Sequence, residues 1–86
     1  MNLSEIVSLG QDAKAFQESD IYQRAYKAVY LNVLQAMVDS VDDETVLKLK
    51  THLTILEAID SQIFNLVEDG VVAEDEIKRA ESERDT

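Results

Sequence analysis

The chain has 86 residues and a formal net charge of -10, with 18 acidic side chains against 8 basic ones. That length allows one domain and lies near the size at which a single hydrophobic core becomes insufficient, while the absence of cysteine excludes disulfides and thiolate metal sites. With no proline, two glycines and high Ala, Leu, Glu, Lys and Gln usage, the composition points to an all-α fold.

In chain order, Leu3, Ile6, Val7 and Leu9 predict a short first helix opened by Asn2 or Ser4. Gly10 stands in it as a break or a tolerated weak point. Ala13, Ala15 and Phe16 form a second apolar patch, and a segment this short is marginal in water. Residues 3–17 are therefore expected to fold against the longer helices, with Phe16 as the anchor.

Ser19 is a good N-cap for a second helix over about 20–39, with Asp20 in its first turn. Its apolar residues fall into two registers. Tyr22, Tyr26, Val29, Val33 and Ala36 make one; Tyr30, Leu34, Met37 and Val41 make the other. Both obey steps of three and four, so this helix carries more apolar surface than one neighbour covers. The short acidic link at Asp39–Asp43 makes the next helix its antiparallel neighbour.

That helix, about 43–69, carries Leu49, Leu53, Leu56, Ile59, Ile63 and Val67 on one face, with Leu66 beside them. Asp42 or Asp43 can cap its start, and Gly70 is read as its left-handed stop. Glu68 and Asp69 would then sit in the last turn and oppose the helix dipole. After Gly70 a weak helix is expected over 72–81, where Asp75 or Glu76 can pair with Lys78 or Arg79. The reading is an antiparallel hairpin with a short N-terminal helix, a bundle completed by oligomerisation, one domain over 1–81 and a disordered tail over 82–86.

No chemical signature accompanies this pattern. His52 is the sole histidine, at the edge of the apolar stripe, and no cysteine or second histidine completes a zinc site. Asp39, Asp42, Asp43 and Glu44 lack the ligand spacing and central glycine of a calcium loop. There is no P-loop, dinucleotide fingerprint or Gly-x-Ser-x-Gly turn. The expectation is a non-enzymatic protein with no catalytic, cofactor or metal residues.

Tyr22, Tyr26 and Tyr30 form a four-residue ladder that reads either as core packing or as a subunit interface. With Leu34, Met37 and Val41 they make the candidate interface. The acid excess reads as solvated helix faces, or as a surface for a basic partner or a nucleic-acid mimic. It argues against direct nucleic-acid binding. The N-terminal stretch lacks a signal-peptide pattern, and no run approaches the roughly 18 apolar residues of a membrane span, so no membrane role is expected.

Gly10-x-Asp12-Ala13-x-Ala15-Phe16-x-x-Ser19, two long helices across an acidic turn, and Glu68-Asp69-Gly70 followed by Ala73-Glu74 carry a resemblance. The chain resembles short α-helical accessory proteins of tailed bacteriophages, mostly of unassigned activity. Where those often have a proline in the central turn, this chain has Ser40-Val41-Asp42. The resemblance implies a protein of the host cytoplasm, or one associated with the virion, whose partners are itself and a phage or host protein. It transfers no site residues. An acidic inhibitor of a host nuclease or DNA-binding protein is the alternative.

Overall fold

Each helix of the computed structural model, which describes residues 1–84, starts where a polar side chain accepts a hydrogen bond from an otherwise unpaired backbone N–H. Helix α1 spans Leu3–Glu18, α2 Asp20–Asp39 and α3 Asp43–Arg84. Asn2 caps α1, its Oδ1 accepting from the Glu5 N–H at 2.9 Å. Ser19 caps α2, its Oγ accepting from the Tyr22 N–H at 3.2 Å. Asp42 caps α3: the Glu44 N–H donates to its Oδ1 at 3.0 Å and the Thr45 hydroxyl to its Oδ2 at 2.8 Å. The Thr45 bond, then the Glu44 bond, holds the Asp42 carboxyl below its ordinary range.

The architecture is all-α, and the chain divides into two compact units. One contains Met1–Gln17 and the part of α3 from Gln62 onward; the other is Glu18–Ser61. In the second, α2 and the start of α3 form the antiparallel hairpin, joined through Ser40, Val41 and Asp42. Ser40 is extended (φ -76°, ψ 137°), and its N–H donates to the Met37 carbonyl. That ends α2 before Val41.

Gly70 does not stop a helix. Helix α3 runs through it for 42 residues, and no glycine among the described residues has a positive φ. The stretch expected as a separate weak helix is the continuation of α3, where Lys78 pairs with Glu74 at 3.3 Å. Ser82, Glu83 and Arg84, expected in a disordered tail, are helical as well; the rest of that expectation, Asp85 and Thr86, lies outside the described residues. Glu68 and Asp69 are consequently mid-helix, where they do not meet the unfavourable dipole end.

The reason for Gly70 is a neighbour. In the first unit α1 runs antiparallel to α3, and Gly10 faces Gly70 across the contact. A Cβ built on Gly10 would lie 2.8 Å from the Gly70 Cα and 2.9 Å from the Leu66 carbonyl oxygen. One built on Gly70 would lie 2.9 Å from the Gly10 Cα and 3.4 Å from the Ile6 oxygen. The contact is reciprocal, each glycine lying over the carbonyl four residues before the other. Ala13 and Ala73, one turn beyond each glycine, are buried. Gly10 therefore does not break α1, and its weaker helix propensity is tolerated for the contact. Phe16, expected as the anchor, is 52% exposed, because small residues make this contact.

Gly10→Ala tests that arrangement. In an open helix the change would gain about 1 kcal/mol of helix propensity. Here the new methyl meets backbone, and overpacking costs about 1–3 kcal/mol. Thermal unfolding is expected to show a net loss on the order of 1 kcal/mol; a raised Tm would mean the helices separate at no cost.

Candidate functional site

The hairpin unit is built on a strict alternation of three- and four-residue steps. Along α3, Val46, Leu49, Leu53, Leu56 and Asp60 turn half-buried toward the seam, and the steps continue with Ile63, Val67 and Gly70. The sequence stripe placed Ile59 in this row, but Ile59 is 53% exposed and Asp60 holds the place. On α2 the inward residues are Tyr22, Tyr26, Tyr30, Val33, Leu34 and Met37, drawn from both registers. Val41, the last of the candidate interface residues, is fully exposed (102%), because it lies in the link after α2 ends.

Asp60 is a carboxylate in an apolar row and takes a partner across the hairpin. The Tyr22 hydroxyl donates to its Oδ1 at 2.6 Å, a length typical of a charge-assisted hydrogen bond. Tyr22 and Tyr26 lie tilted with ring centroids 6.0 Å apart, and Tyr26 stacks on Tyr30 at 6.3 Å. Burial pushes the Tyr22 phenol up to about 12, aided by the hydrogen bond to Asp60 and the charges of Asp60 and Tyr26. Tyr26 is raised too, by burial first and then by Asp60, Glu57 and Tyr30. These phenols stay neutral at physiological pH, so the ladder packs and donates.

Beside the seam the same unit leaves an apolar groove lined by Val29, Val33, His52, Ile55, Leu56 and Ile59, with a volume of 340 Å³. Val29, Ile55 and Ile59 are each about half exposed. His52 is exposed at the groove rim, in line with its place at the stripe edge. Among the described residues no three His, Cys, Asp or Glu side chains are grouped to hold a metal ion, and no helix is long and apolar enough to cross a membrane.

Sequence analysis gave Asp60 no role and missed its pairing with Tyr22. The signal lay in the seven-residue repeat, which lands on 60 when continued from 49, 53 and 56. It also missed the crossing of the first unit. There the signal is a repeated pattern: Ile6-Val7-x-x-Gly10-x-x-Ala13 and Leu66-Val67-x-x-Gly70-x-x-Ala73 match position for position.

The raised Tyr22 value fixes a pH dependence. A phenol whose folded value lies above its unfolded one contributes stability in full below about pH 10, and that contribution is lost as pH rises toward 12. Tyr22→Phe should cost about 1.5–3 kcal/mol at neutral pH through the lost hydrogen bond to a carboxylate. Its difference from the parent, measured by denaturant unfolding, should shrink between pH 10 and 12. A constant difference across that window would rule out the Tyr22–Asp60 pair as its source. Comparison of the chain with family models, with characterised proteins and with solved structures gives no match.

Proposed function

We propose that the chain is a non-enzymatic, phage-type accessory protein that self-associates, or docks on a larger assembly, through its helix faces. The observation that carries this reading is incomplete burial: among the described residues, the only buried apolar side chains are those of Ala13 and Ala73. The hairpin groove at Val29, Ile55 and Ile59 is the face on which a second hairpin would complete a four-helix bundle. The phage setting, virion assembly in the host cytoplasm included, rests on the sequence resemblance.

Light scattering after size exclusion, at low and high salt, tests self-association. A discrete oligomer that resists salt is expected, and Ile55→Glu with Ile59→Glu should reduce it to monomer. A parent chain that is monomeric at both salts rejects self-association.

A second reading, an acidic inhibitor of a host nuclease or DNA-binding protein, is supported by exposure of every described Asp and Glu except Asp60. It requires salt-sensitive capture of a basic host factor. A low-salt pull-down that recovers none rejects it.

A further inference from the structure

The close crossing of Gly10 on Gly70 draws two backbones together and leaves the side chains beside it as walls of an open groove, 460 Å³ in volume. Leu3 and Leu9 of α1 and Leu66 and Val72 of α3 give it an apolar floor and sides. Leu3, Leu9 and Val72 are 38%, 37% and 57% exposed. Asp69 and Glu76 stand on its α3 side, both exposed, and neither is in an ion pair. They are seven residues apart, two helical turns, or about 10 Å along the axis. Met1 lines the α1 end of the groove, and no Lys, Arg or His side chain lines it.

We propose that this groove receives an amphipathic helix of another protein. Its aliphatic residues, at steps of three and four, lie in the trough, and two Lys or Arg residues seven apart meet Asp69 and Glu76. An apolar trough with a one-sided acidic edge selects for this pattern, since the trough supplies affinity and the charges fix register and orientation. A second copy of this chain is a poor occupant. It carries net charge -10, and no two of its Lys and Arg residues are seven positions apart. This inference concerns a different unit from the hairpin groove and stands apart from self-association there.

The test is fluorescence anisotropy with a labelled helical peptide carrying leucines at those steps and lysines seven apart beside them. An isomer of identical composition, with both lysines moved to the opposite face, is the reference. The matched peptide should bind at least tenfold more tightly than the isomer. Asp69→Lys with Glu76→Lys should weaken it at least tenfold, and the milder Asp69→Asn with Glu76→Gln severalfold. Glu81→Lys with Glu83→Lys, the same charge change outside the groove, should leave affinity within threefold. Circular dichroism of each variant checks that helicity is kept. Equal losses from both lysine pairs would reduce the effect to bulk charge attraction and overturn the proposal. So would indifference to Asp69 and Glu76. If Val72→Glu dissociates an oligomer of the free chain, the groove belongs to a second copy and the proposal also fails.

Discussion

The approach of Gly10 to Gly70 is the constraint on which the first unit depends. Each glycine costs its helix about 1 kcal/mol relative to alanine, through the backbone freedom lost on folding. That cost is tolerated because a side chain at either position would meet the opposing backbone. What the contact gains is close packing over many weakly attracting atoms, with Ala13 and Ala73 buried beside it. The same requirement explains why α3 continues through a residue that elsewhere closes helices. A left-handed Gly70 would turn the chain away from α1.

The hairpin unit solves the same packing problem with large side chains. Three tyrosines, Val33, Leu34 and Met37 meet a row of valine and leucines broken by Asp60. A polar group in such a row favours the one register that gives it a partner, and Tyr22 provides it. Shifting α2 by one turn would separate the hydroxyl from the carboxylate. The hydrogen bond thus contributes to uniqueness of pairing as much as to stability.

Both solutions leave apolar walls uncovered, and this connects packing to function. Two helices in contact bury one stripe each, so residues on the flanks stay in water unless a third element arrives. Val29, Ile55 and Ile59 flank the hairpin seam; Leu3, Leu9 and Val72 flank the glycine crossing. The hairpin groove is lined by aliphatic residues and one histidine, whereas the glycine-crossing groove has two carboxylates on one side. The first suits a surface like itself, and the second a basic one.

The sequence by itself determined the helical class, the ends of α2, the start of α3 and the hairpin between them. These follow from local chemistry: a hydroxyl cap at Ser19, a carboxylate cap at Asp42 or Asp43, an acidic link, and apolar residues at steps of three and four. It left Asn2 and Ser4 open as the first cap, and the Asn2–Glu5 contact decided between them. Only tertiary structure decided the meaning of Gly70, the place of Asp60 and the exposure of Phe16 and Val41. A glycine after two acids carries the same local signal whether it ends a helix or admits a neighbour's backbone. An aspartate likewise reads as solvated until a tyrosine 38 positions away reaches it. In each case the deciding contact joins residues far apart in the chain, which local periodicity does not encode.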